Sequence, residues 1–64
     1  MIHEIWKDGV KLDKTAPAGT VVEDADGDVA VKIEGIWIGE GAAPGDYDIH
    51  FGPWRVLRWG YSID

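Results

Sequence analysis

Short runs of β-branched and aromatic residues, separated by Gly, Pro and Asp, dominate this chain. The clearest run covers residues 28–33, where large apolar side chains alternate with polar or small ones. A period of two is typical of a strand with one buried face and one wet face. The pattern predicts a central strand that buries Val29, Val31 and Ile33. On its solvent face we expect Asp28, Ala30 and Lys32.

Turn residues separate this strand from other extended segments, and Glu34-Gly35 predicts a turn directly after it. Strand-forming residues also occupy 2–7, 10–14, 20–24, 36–38, 47–51 and 54–59. Asp8-Gly9 predicts a hairpin between the first two, because a type I′ turn needs positive φ at both central positions. Residues 39–46 have no apolar period and predict the longest loop. No stretch is rich in Leu, Ala, Glu and Lys, so no helix is expected.

These segments predict an all-β fold of five to six short antiparallel strands. The chain has 64 residues, which is enough for one small domain, so residues 1–64 are assigned to a single domain. A small Src-homology-3-like barrel is the preferred architecture, and an oligonucleotide-binding-like barrel is the second choice. The chain has no cysteine, so neither a disulfide nor a thiolate-held zinc ion is expected to stabilise the core.

One long motif has a counterpart in known sequences. Residues 17–32 read Pro-Ala-Gly-Thr-Val-Val-Glu-Asp-Ala-Asp-Gly-Asp-Val-Ala-Val-Lys, followed by Gly35-Ile36-Trp37 and by Gly52-Pro53-Trp54-Arg55-Val56-Leu57. The combination resembles small uncharacterised orphan proteins encoded by bacteriophages of actinobacteria. The resemblance implies a phage source, a β fold and action by contact. It also implies the host cytoplasm as the location, or the virion if the role is structural.

Acidic residues are concentrated in the middle of the chain. The formal net charge is -6, and residues 23–48 hold eight acidic residues against Lys32 alone. This balance disfavours a surface that binds nucleic acid directly. No apolar run reaches the roughly 18 residues that span a bilayer, and no signal peptide is recognisable, so we expect a soluble, unprocessed protein without a membrane partner.

Candidate metal ligands do not form a convincing pattern. Asp24-x-Asp26-Gly-Asp28 resembles the start of a calcium loop, but Val29 and Gly35 stand where an EF-hand needs Gly and Glu. A turn in which Asp side chains bond the local backbone is the simpler interpretation. No metal or cofactor is therefore expected.

Catalytic candidates are equally few. Asp46, Asp48 and His50 would share one face of a strand, which is also the ordinary polar face of an edge strand. His3 is distant in sequence from His50, and Ser62 lies outside any turn that would present a nucleophile. The sequence therefore predicts a protein that is not an enzyme.

Two surfaces are candidates for binding a protein. Indoles and arginines are enriched at interface hot spots, which favours a patch of Trp54, Arg55, Arg58 and Trp59. The simpler alternative is that each Trp packs in the core and its N–H reaches an acceptor. The second candidate is the acidic surface formed by Glu23, Asp24, Asp26 and Asp28.

Three functions are compatible with these features. The preferred one is a non-enzymatic bacteriophage protein that acts by protein–protein contact, with a host factor as a candidate partner. The alternatives are a small structural or decoration protein of the virion and an acidic DNA mimic that inhibits a nucleic-acid-binding protein. The sequence also leaves a homo-oligomer open.

Overall fold

The computed structural model describes residues 3–45 and 52–61, which form one five-stranded antiparallel sheet and one short helix. The elements are β1 (Glu4–Trp6), α1 (Gly9–Thr15), β2 (Val21–Glu23), β3 (Val29–Ile33), β4 (Ile36–Gly39) and β5 (Trp54–Arg58). The strand order is β1-β5-β2-β3-β4, and each neighbouring pair is antiparallel. A mostly β, antiparallel fold is therefore confirmed. The strand expected at 47–51 lies outside the described residues.

Helix α1 occupies the place where the sequence predicts the second strand of a hairpin, and that prediction is wrong. Asp8 is the N-cap residue, and its side chain accepts a hydrogen bond from the Lys11 N–H at 3.1 Å. Asp is favoured both in tight turns and at helix N-caps, so the dipeptide alone does not separate the two structures. Leu12 and Ala16 lie four residues apart and are both buried, which orients the helix.

The connection from β3 to β4 agrees with the sequence. Glu34 and Gly35 have φ angles of 49° and 83°, and they separate Ile33 from its partner Ile36. Positive φ at both central residues is typical of the tight turns whose twist matches that of the flanking strands. The Glu34-Gly35 turn is confirmed.

The core lies between α1 and one face of the sheet. Its buried apolar residues are Leu12, Ala16, Val22, Ala30, Trp54 and Val56. Strand β3 contributes Ala30 to this core, whereas Val29 and Ile33 are exposed and Val31 is half-buried. The predicted burial of these three residues is therefore wrong, although the strand and its alternation are correct.

Ala30 and Lys32 explain why β3 buries the face that the sequence predicts to be exposed. The small Ala30 side chain lies within the core, and Lys32 extends toward the end of α1. Its Nζ donates to the carbonyl oxygens of Asp13 and Ala16, the latter at 2.8 Å. A lysine that covers apolar surface with its stem and binds helix carbonyls with its ammonium group can occupy the inner face of a sheet.

Candidate protein-interaction surface

The face of the sheet opposite α1 carries no helix among the described residues, and we call it the open face. On β3 and β4 it consists of the side chains that alternate with Ala30, Lys32 and Trp37. These are Val29, Val31, Ile33, Ile36 and Ile38. Cross-strand pairing places Val31 beside Ile38 and Ile33 beside Ile36, so the five form one continuous apolar surface.

Exposure of this surface is high for β-branched residues. Ile36 is 65% exposed, Ile38 52%, Ile33 47% and Val29 42%. Single exposed apolar residues are common in proteins, but a contiguous patch marks an interaction surface. The arrangement can bind a partner by removing this apolar surface from water.

The other end of the open face is polar. Ile5 of β1 is 60% exposed and pairs with Arg55 of β5. The Arg55 Nη1 lies 3.7 Å from Glu23 Oε1 on the adjacent strand. Together with Pro53 these residues line a depression of about 340 Å³. Because Arg55 is exposed and Glu23 is partly exposed, their ion pair contributes little to stability.

The four predicted anchor residues do not form a single surface. Trp54 is 2% exposed, and its indole N–H donates to the Ala42 carbonyl oxygen at 3.2 Å. Arg55 lies on the open face, whereas Trp54 and Val56 face the core. A role for Trp54 as an exposed anchor is therefore wrong, because the strand alternation that buries Val56 buries it too.

The remaining Trp residues also have partners inside the chain. Trp59 and Trp6 form a T-shaped pair with ring centroids 6.0 Å apart, and the Trp59 N–H donates to Glu4 Oε2 at 2.8 Å. The cation–π contact of the described residues is Lys32 over Trp37, at 5.7 Å. The Trp37 N–H donates to Asp13 Oδ1 at 2.7 Å.

Asp24, one member of the predicted acidic surface, is directed into the protein. Its carboxylate accepts hydrogen bonds from the backbone N–H groups of Ala42, Asp26 and Asp28 at 2.9 to 3.0 Å. The Ala42 hydrogen bond is the main cause that lowers the pKa of Asp24 below 3.8, and Asp28, Asp26 and Gly27 lower it further while burial opposes them. The predicted Asp turn is confirmed. Asp24 is only 8% exposed, and both of its carboxylate oxygens are engaged by these hydrogen bonds.

The other acidic residues are distributed over two places. Glu23 is on the open face, paired with Arg55. Asp26 and Asp28 are exposed in the turn, where they and Glu40 border a second depression of about 350 Å³. Glu40 belongs to the acidic middle of the chain but is brought to this turn by the pairing of β3 with β4.

Within residues 3–45 and 52–61, no three His, Asp or Glu side chains are grouped so that they could hold a metal ion. In the same part of the chain, no helix is both long enough and apolar enough to cross a membrane. The candidate residues Asp46, Asp48, His50 and Ser62 lie outside the described residues.

Comparison with known proteins finds no match: no family model, curated protein or solved structure is significantly similar to this chain.

The open face is the feature that the sequence prediction missed. The sequence predicts burial of its three β3 residues, Val29, Val31 and Ile33, because β-branched side chains that alternate with polar ones are the usual mark of a buried face. The available signal was Ile36-Trp37-Ile38, an apolar run that follows directly after Ile33 and the tight turn. A strand such as β4, with apolar side chains on both faces, leaves one of them uncovered when a helix packs on the other.

Proposed function

We propose that this chain is a non-enzymatic bacteriophage protein that acts by contact with another protein, and that the open face is its contact surface. The observation that carries this proposal is the continuous exposure of Ile33, Ile36 and Ile38 on adjacent strands. Fully burying an exposed side chain of this size contributes about 1.5 to 3 kcal/mol, and each of these is about half exposed, so covering it contributes roughly half of that amount and the three together favour association. A host factor is the preferred partner, and a virion subunit would use the same surface.

The proposed architecture beneath this surface is a Src-homology-3-like barrel. Support comes from the antiparallel strand order and from a register shift between Val21 and Val22 in the pairing of β2 with β5. A shift of this kind bends a strand and increases its twist, which favours a curled sheet.

A comparison of matched variants tests the contact function. Wild-type chain, the double variant Ile33→Ser/Ile36→Ser and the control Val10→Ser would each be used to capture proteins from an actinobacterial lysate at low and high salt. Val10 is 45% exposed but belongs to α1, on the other side of the molecule. We expect the double variant to lose specific capture and the control to keep it.

Salt separates this function from DNA mimicry. Apolar contact is weakly screened, whereas binding through exposed carboxylates falls steeply as ionic strength rises. Capture that survives Ile33→Ser/Ile36→Ser but disappears at high salt would contradict contact through the open face.

A further inference from the structure

Strand β4 is an edge of the sheet that the described residues form. It is the last strand in the order β1-β5-β2-β3-β4, with β3 on one side. Within the described residues no strand lies along its other side. The backbone N–H and C=O groups of an edge strand can pair with another chain.

Strand β4 is short, with four residues, but it carries no charged side chain, proline or β-bulge that would hinder strand addition. Proteins block such edges with charged side chains, proline or β-bulges. Strand β4 reads Ile36-Trp37-Ile38-Gly39, and its register with β3 runs without a shift from Ile36 to Gly39. Its Ile36 and Ile38 side chains extend the open face to the edge. A regular apolar edge of this kind suits binding by β-augmentation.

Acidic side chains flank the edge. Glu34 precedes β4 and Glu40 follows it, and both are exposed. Lys32 on the neighbouring strand points to the opposite face, where it binds carbonyls of α1. Arg55 and Arg58 are on β5, which is separated from β4 by β2 and β3. The two ends of the edge therefore present negative charge.

This charge pattern disfavours a second copy of the chain as the partner. Two copies paired antiparallel along β4 would place the Glu34 end of one strand beside the Glu40 end of the other. Acidic groups would then meet at both ends, in chains that each have a net charge of -6. Like-charge contacts of this type work against association.

We propose that the β4 edge binds an extended segment of another protein that has β-branched side chains on one face and Lys or Arg at both ends. This inference rests on the contact function proposed above, and it specifies the chemical character of the segment that is bound. Backbone hydrogen bonds to β4 would supply affinity, and Ile36 and Ile38 would contact the apolar side chains. Glu34 and Glu40 would select the basic ends.

Three blocked peptides test this proposal by titration into the ¹⁵N-labelled full chain. The first is Lys-Lys-Val-Thr-Ile-Thr-Val-Lys-Lys, the second has Glu at every Lys position, and the third has Pro at the Ile position. We expect the basic peptide to shift the amide resonances of β4 and to bind at least about fivefold more tightly than the acidic one, with the difference reduced by salt. The Pro peptide should not bind, because it cannot complete the strand pairing.

Variants of the full chain show which residues are responsible for peptide binding and for the preference for basic ends. Glu34→Gln/Glu40→Gln should remove most of the preference for the basic peptide while leaving the backbone edge intact. Ile38→Lys should abolish binding of either peptide, and Val10→Lys, an equivalent change on α1, should not. Amide dispersion in the same spectra establishes that each variant is folded.

Each other outcome overturns the inference. Equal binding of the basic and acidic peptides refutes the basic partner but leaves the contact function standing. Absence of binding by every peptide refutes the edge as the docking site, while the capture experiment with Ile33→Ser/Ile36→Ser still decides the contact function. A dimer in sedimentation that Ile38→Lys dissociates would identify a second copy as the occupant of the edge.

Discussion

Lys32 joins the sheet to the end of the helix: its Nζ lies 2.8 Å from the Ala16 carbonyl oxygen. The same ammonium group is 3.4 Å from Asp13 Oδ1 and also bonds the Asp13 carbonyl oxygen. The last carbonyls of a helix have no partner within it, so a cation from a neighbouring strand satisfies groups that would otherwise need water. Its side chain is only 12% exposed, which makes this a mostly desolvated contact.

We therefore expect Lys32→Met to lower the free energy of unfolding by about 1.5 to 3 kcal/mol, the range for a hydrogen bond to a charged group. Urea denaturation followed by Trp fluorescence would measure the change. Lys14→Met is the matched control, because Lys14 is exposed in the last turn of α1. Equal stability of the two variants would show that Lys32 does not cap the helix.

Leu12→Ala tests whether α1 packs on the sheet. Leu12 is 0% exposed, so we expect a loss of about 2 to 5 kcal/mol through the cavity that remains. A domain of this size has a total stability of about 3 to 5 kcal/mol, so much of the variant should be unfolded at room temperature. Circular dichroism during urea denaturation would show it.

The control for this change is on the same helix. Val10 is 45% exposed, and Val10→Ala should alter stability by no more than about 0.5 kcal/mol. If residues 10–14 formed a hairpin strand instead of α1, Val10 and Leu12 would share one face of that strand. Val10→Ala and Leu12→Ala would then lower stability by similar amounts.

Thr20 ties the C-terminal segment to the loop before β2. Its hydroxyl donates to the Pro17 carbonyl oxygen at 2.8 Å and accepts from the Gly60 N–H at 3.0 Å. Thr20→Val keeps the shape but leaves both groups without this partner, so we expect a loss of about 1 to 3 kcal/mol in thermal or urea unfolding. Thr15→Val, at an exposed helix position, is the control and should cost much less.

A side chain at position 60 would interfere with the same contact. A Cβ on Gly60 would overlap the Ala18 carbonyl oxygen and crowd the Thr20 backbone nitrogen. Gly60→Ala should therefore release the end of the chain from this loop, and faster exchange of the amide at position 60 would report it. Unchanged protection of that amide would contradict the proposed close approach.

Asp24 should make the fold sensitive to acid. The Ala42 N–H chiefly holds the pKa of Asp24 below its ordinary 3.8, so the ionised carboxylate stabilises the folded state. The sign follows from linkage: this contribution is fully present above 3.8 and is lost as the pH falls through the lower pKa of the folded state.

Asp24→Asn should accordingly be less stable than wild type by about 1 to 3 kcal/mol at neutral pH, because an amide cannot accept at both of its termini. The difference should shrink in unfolding curves recorded at progressively lower pH. Asp26→Asn, an exposed change in the same turn, is the control. A difference that stays constant into acid would rule out the carboxylate charge as its cause.

Local patterns in the sequence determined where most strands and turns lie. The alternation in 28–33, the Glu34-Gly35 pair and the Asp turn at 24–28 depend on side-chain period, positive φ and short-range hydrogen bonds. Each of these is a property of neighbouring residues, so each could be derived without knowing the rest of the fold. The structure places β3 and both turns where these patterns indicate.

Only the tertiary structure decided which face of β3 is buried and whether Asp8-Gly9 forms a hairpin turn or begins a helix. An alternating strand offers two faces, and the packing of α1 selected the face of Ala30 and Lys32 over that of Val29 and Ile33. That choice depends on a contact between segments distant in sequence, in which a lysine can bind helix carbonyls. The open face, and with it the candidate contact surface, follows from that choice, because α1, the helix of the described residues, lies on one side of the five-stranded sheet.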